Sequence, residues 1–144
     1  MNEYDTNYVY KPVYFLVGVK TVVFGPDGNI LLIQRSDKLP RAHGWDLVGG
    51  GVDQGEDPTN AAIREILEEP GLSIYNVKPI TTYISQNSDN KDIITIGFYA
   101  KTDDSNVTLG WENESYQWVP IEKAIDFNLP DLHRHIVEAA QKPI

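Results

Sequence analysis

Three glutamates at positions 65, 68 and 69, with glycines ahead of them at 49, 50 and 51, form the segment of this 144-residue chain whose residue types can do chemistry together. Residues three and four apart meet on one side of a helix, so Glu65, Glu68 and Glu69 would form a carboxylate cluster. Hard oxygen ligands gathered in this way suit Mg2+ or Mn2+, and divalent cations bring phosphate chemistry with them. Arg64, next to Glu65 and four residues before Glu68, supplies one positive charge against three negative ones. Taken alone, the cluster reads more readily as a solvated acidic face. The glycines shift that balance, because Gly49, Gly50 and Gly51 let backbone approach a ligand or a metal closely. A turn entering a helix also points N–H groups at anions.

The element that must carry the acids has clear ends. Asp57 is a good N-cap, Pro58 suits the first helical position, and Gly71 reads as the stop. Between them Ala62, Ile63, Ile66 and Leu67 make an apolar stripe, which predicts the three glutamates on the opposite, outward side. Strands are expected from Val13 to Phe24 and from Ile30 to Arg35, joined as a hairpin by the Gly25–Asn29 turn. A second hairpin is expected from Ile80 to Ser85 and Asp92 to Lys101, turning at Asn87–Asn90, with a further strand over Tyr116 to Val119. After Pro130, the spacing of Leu132, Ile136, Val137 and Ala140 predicts a terminal helix. On it His133 and His135 read as surface residues.

Residues 50–72 resemble the signature of the Nudix hydrolase family, MutT-like proteins among them: glycine, five residues, Glu, seven residues, Arg-Glu, an aliphatic, one residue, Glu-Glu, one residue, Gly, an aliphatic. Gly50, Glu56, Arg64, Glu65, Ile66, Glu68, Glu69, Gly71 and Leu72 meet it without gap or substitution. Trp45-Asp-Leu ahead of the glycines and the stretch from Glu114 to Ala124 look like flanking family text. The resemblance implies a single domain over residues 1–144, folded as an α/β/α sandwich with a mixed β-sheet. It also implies hydrolysis of the phosphoanhydride of a nucleoside diphosphate linked to another moiety, with Mg2+ or Mn2+ as cofactor.

By the same resemblance Glu68, Glu69 and the Gly49 carbonyl would bind metal. Glu65 would be a ligand or the base for water, and Arg64 would hold the carboxylates in place. One further acid from a later loop is expected, and the sequence does not choose between Glu112 and Glu114. Val48 stands where many members carry proline. Pro70 disfavours helical conformation at Glu69, so a distorted last turn is expected, weakening the metal site or only ending the helix.

Candidate substrate contacts are Gly50 and Gly51 through their backbone, Arg35 and Arg41 (with Lys38) toward phosphates, His43 just ahead of the glycines, and Trp111 beside the late acids. The formal net charge of −9 opposes approach of a polyphosphate unless cations bridge the two, and it argues against general nucleic-acid binding. Without cysteine there is no disulfide, thiolate site or cysteine nucleophile. The opening Met-Asn-Glu-Tyr-Asp lacks the layout of a signal peptide, and no apolar run is long enough for a membrane span, so a cytoplasmic protein is expected. Its partner is a small nucleotide, and a homodimer is a candidate assembly. The alternative reading is a Nudix-fold sensor that binds a nucleotide without turning it over. The intact acids favour the enzyme, and Pro70 is the feature on the other side.

Overall fold

The computed structural model describes residues 6–143; the acidic Met1–Asp5 stretch lies outside them. The apolar stretch Ile30–Arg35 (β2) is buried at its first four residues, Ile30, Leu31, Leu32 and Ile33. Four consecutive apolar residues in a strand need cover on both faces, because successive side chains point to opposite sides. Ile30 and Leu32 enter one core with Val22, Leu47, Ile136 and Val137. Leu31 and Ile33 enter another with Val23, Val48, Ile66 and Leu72. The first core is covered by the terminal helix Asp131–Gln141 (α2), the second by the helix Pro58–Glu68 (α1). The fold is an α/β/α sandwich.

Its seven-stranded sheet contains Leu16–Phe24 (β1), β2, Trp45–Asp46 (β3), Val48–Gly51 (β4), Tyr75–Gln86 (β5), Asp92–Lys101 (β6) and Asn113–Val119 (β7). Strands run β3-β2-β1-β6-β5, with β4 on β1 and β7 on β2. β1 and β6 are parallel over Leu16–Phe24, and the remaining pairs are antiparallel, so the sheet is mixed. A short 3-10 helix over Ile121–Phe127 leads to α2. Among the described residues, no helix is long and apolar enough to cross a membrane.

Two expectations change. The β1–β2 hairpin closes at one register pair, Phe24 with Ile30, and then splays. Into the wedge goes β4, pairing Gly18–Thr21 with Val48–Gly51. The glycine run is therefore a strand rather than a turn. It fits because a Cβ on Gly49 would collide with the Val19 carbonyl, an approach that only glycine allows. The second hairpin, β5–β6, forms as expected but begins earlier, at Tyr75.

Candidate active site

Helix α1 starts as its sequence dictates: the Asp57 carboxylate accepts from the Thr59 N–H at 2.8 Å, and Pro58 takes the first helical position. The face it buries differs from expectation. Ala61, Ala62 and Ile66 are buried, while Ile63 and Leu67 are 39% and 57% exposed. The packed side is the row 61, 62, 65, 66 and 69, because two alanines let the helix lie close to the sheet through its small residues. Glu65 and Glu69 consequently stand at the border of the packed face, and only Glu68 is fully outward.

Pro70 leaves Glu69 in the right-handed helical region, at φ −80 and ψ −72, with its N–H still bonded to the Glu65 carbonyl at 2.9 Å. Gly71 follows at φ +73 and ends the helix, and the Pro70 carbonyl accepts from the Thr108 N–H. The departure expected from proline is confined to a ψ at the edge of the helical range.

Arg64 ties the segment together. Its guanidinium donates to Glu56 (2.8 and 2.9 Å), Glu65 (3.0 Å), Glu68 (3.2 Å) and the Gly51 carbonyl (3.0 Å). The contact with Arg64 holds the Glu56 carboxyl at a pKa of about 2, well below the usual carboxylate range. Glu65 in turn lies against β4, where a Cβ on Gly50 would come within 2.6 Å of its carboxyl carbon.

Glu65, Glu68 and Glu69 line a cleft of about 180 Å³ whose other wall is Gly110, Trp111, Glu112 and Asn113. Trp111 is 64% exposed at its rim. Burial pushes the Glu69 carboxyl up to about 8; a nearby Lys20 counteracts this, and Glu65 and Glu112 add to it. Of the two late acids, Glu112 faces this cleft, whereas the Glu114 carboxylate is paired with His43 Nδ1. That pairing raises the His43 pKa. The Glu112 carbonyl accepts from the Ser36 N–H, so the loop between β2 and β3 is laced to the start of β7 and to the residue before it.

Arg35 and Arg41 point elsewhere. Both bind the buried carboxylate of Asp46, at 3.0 Å and 2.8 Å. Lys38 is exposed. His133 is not a surface residue, because the packed face of α2 carries it inward, whereas His135 stays half-exposed at the edge of that face. His133 is buried and accepts the Leu47 N–H on Nδ1 at 2.9 Å. His135 contacts the Thr81 hydroxyl at 2.8 Å and lies beside the Tyr83 ring.

Sequence reasoning missed Lys20, Asp46 and His133. A lone charge inside an apolar run was the available signal for the first two: Leu16–Phe24 reads LVGVKTVVF, and Asp46 sits between Trp45 and Leu47. Leu16–Lys20, Gly50–Val52, Ile93 and Thr95 line a largely apolar cavity of about 380 Å³. Lys20 and Gly50 belong to its wall, and Gly50 also abuts the Glu65 carboxylate.

The four carboxylates of the cleft suit a hard divalent cation by chemistry, with no imidazole or thiolate among them. As placed, Glu65 and Glu68 turn to Arg64, and among the described residues no three acids meet at coordinating distance.

Fold and cleft together define an α/β/α sandwich whose first helix lines a cleft with carboxylates. A profile of the NUDIX domain matches residues 15–140, and the chain belongs to the Nudix hydrolase family. A putative 8-oxo-dGTP diphosphatase of Bacillus subtilis (strain 168) is 34% identical over 119 residues, covering 83% of this chain and 76% of that protein. An RNA pyrophosphohydrolase of Bartonella quintana (strain Toulouse) is 40% identical over 73 residues, covering 47% of this chain and 41% of that protein. The crystal structure of a MutT protein from Methanosarcina mazei Go1 superposes with a TM-score of 0.74 at 26% identity, covering 90% of this chain and 94% of that one. The chain is an enzyme of the pyrophosphohydrolase class.

Proposed function

We propose that this protein hydrolyses the phosphoanhydride of a small free nucleotide, a nucleoside triphosphate before any larger conjugate, with Mg2+ or Mn2+ held by the acid cleft. The observation that carries this reading is the meeting of Glu65, Glu68, Glu69 and Glu112 along one cleft beside the Gly49–Gly50 strand. Glu68, Glu69, Glu112 and the Gly49 carbonyl would hold the cation, with Glu65 as a further ligand or as base for the attacking water. A cation bound there would neutralise phosphate charge and lower the pKa of bound water.

The chain's own residues do the rest. Arg64 orients Glu65 and Glu68 through hydrogen bonds to both. Gly50 lets the Glu65 carboxylate lie flush with β4. The apolar cavity next to Gly50 offers a dry face for a base, and Trp111 an exposed ring at the cleft's rim. Arg35 and Arg41, engaged by Asp46, shape the β2–β3 loop in this reading rather than gripping phosphate. The His43–Glu114 pair fastens the same loop to β7. The preference for a free nucleotide rests on the longer match to the diphosphatase relative and on the net charge of −9, which disfavours RNA. The sensor alternative drew its support from Pro70, and Glu69 keeps its helical hydrogen bond despite it.

The test is phosphate and pyrophosphate release from ordinary and oxidised nucleoside triphosphates, ADP-ribose, dinucleoside polyphosphates and capped RNA ends. Each is run with Mg2+ or Mn2+ and again with chelator. Turnover of a nucleoside triphosphate that chelator abolishes, and that Glu68→Gln removes without loss of fold, is expected. Turnover unaffected by chelator and by Glu68→Gln would sink the metal assignment.

A further inference from the structure

Lys20 is the one charged residue of β1, a strand otherwise apolar or small. Its register neighbours are Gly49 on β4 and Gly97 on β6, so glycine flanks it on both sides and its stem can lie flat across the sheet. The ammonium lies 3.4 Å from the Leu47 carbonyl and 3.5 Å from the Gly49 carbonyl. Its charge also favours the ionised form of Glu69 against burial. Arg64 neutralises the outer end of the acid cleft through Glu65 and Glu68. Lys20 stands against the Gly49 carbonyl that the proposed function assigns to the cation, and its charge acts on Glu69.

We propose that Lys20 is a built-in counter-ion of the acid cleft: it competes with a divalent cation for the Gly49 carbonyl and Glu69, and so keeps metal binding weak until a nucleotide polyphosphate arrives with the metal. The inference rests on the reading of the cleft as a metal site. A carbonyl oxygen that accepts from an ammonium is less available as a ligand. A fixed positive charge in a half-buried position repels a second cation far more than it would across water. Arg64 is shared among Glu56, Glu65 and Glu68, so Lys20 supplies the second positive charge beside the acids. A lysine stem is flexible enough to turn its ammonium from a carbonyl to an arriving phosphate oxygen. The same residue that opposes the bare metal would then favour the metal–nucleotide complex. Lys20 also lines the apolar cavity beyond Gly50, which places it between the two compartments that such a complex would occupy.

The test is a Mn2+ titration of nucleotide-free protein followed by electron paramagnetic resonance. It compares the wild type with Lys20→Met, Lys20→Arg and Lys91→Met, the last removing equal charge from an exposed turn. Lys20→Met should bind Mn2+ more tightly by on the order of tenfold, while its KM for the Mg2+–nucleotide rises. Lys20→Arg and Lys91→Met should stay near wild type. A melting curve checks that Lys20→Met is folded, and if it is not, Lys20→Gln replaces it. Unchanged or weaker Mn2+ binding in the folded neutral variant overturns this inference and leaves the metal site standing. Absence of Mn2+ binding in the wild type as well overturns the metal site itself, and the inference with it.

Discussion

The Glu65 carboxylate lies against the α-carbon of Gly50, so close that a methyl group there would come within 2.6 Å of its carboxyl carbon. Gly50→Ala should therefore push Glu65 off its bond to Arg64 while leaving the sheet intact. A loss of on the order of a hundredfold in kcat/KM is expected, as for other misplaced catalytic groups, with little change in melting temperature. Gly49→Ala should behave in the opposite way. Its methyl would meet the backbone of Val19 and Lys20, which cannot yield, and about 2 kcal/mol or more of stability should go. Steady-state kinetics and thermal melts of the two variants separate these outcomes.

Glu112 and Glu114 sit two residues apart and face different partners, one the acid cleft and the other His43. Glu112→Gln should lower kcat/KM by more than the ten- to hundredfold usual for a supporting residue. Glu114→Gln releases the β2–β3 loop from β7 and should stay within about that supporting range. Equal losses, or a larger loss at Glu114, would reverse the assignment.

His133 offers a pH dependence with a definite sign. Its Nδ1 accepts the Leu47 N–H, and burial first, then the charge of Lys20, holds its pKa down to about 3. The unfolded chain takes up a proton near 6.5 and the folded protein does not until far lower. Stability from this group is therefore intact above about pH 7 and is lost as pH falls from 6.5 toward 3. The loss should reach about 2 kcal/mol by pH 5. The burial-raised Glu69 works in the opposite direction as pH falls below about 8, so the group is best read as a difference between variants. Melting temperatures of wild type and His133→Gln, compared from pH 7.5 to 5, should converge as pH falls.

Thr21 buries its hydroxyl in β1 with no hydrogen-bond partner among the described residues. Valine has the same shape without the polar atom. Thr21→Val should stabilise the protein by about 1 kcal/mol, seen as a rise in melting temperature with activity retained.

Helix α1 was legible end to end, because caps and stops act over a few residues: Asp57 caps, Pro58 starts and Gly71 ends it as their types require. Its rotation was not. Counting apolar residues favoured 62, 63, 66 and 67, but the sheet accepts the smaller Ala61 and Ala62 more closely than Ile63 and Leu67. That choice belongs to packing between elements, and it moved Glu65 and Glu69 from open water to the edge of the core. The β1–β2 hairpin was misjudged for a similar reason. A good turn specifies where two strands meet, while the competing partner, β4, lies beyond the turn's reach in sequence.

By itself the sequence determined the acids, their spacing on one helix, the glycines beside them, and through these the family and its class of reaction. These are local matters of residue type and short-range geometry. The tertiary structure alone decided which late acid lines the cleft, that Arg35 and Arg41 answer to Asp46, that His133 is buried, and that Lys20 lies against the Gly49 carbonyl. Each of those outcomes depends on strands and helices that meet from distant parts of the chain, where charge and burial are shared among partners that no short stretch of sequence contains.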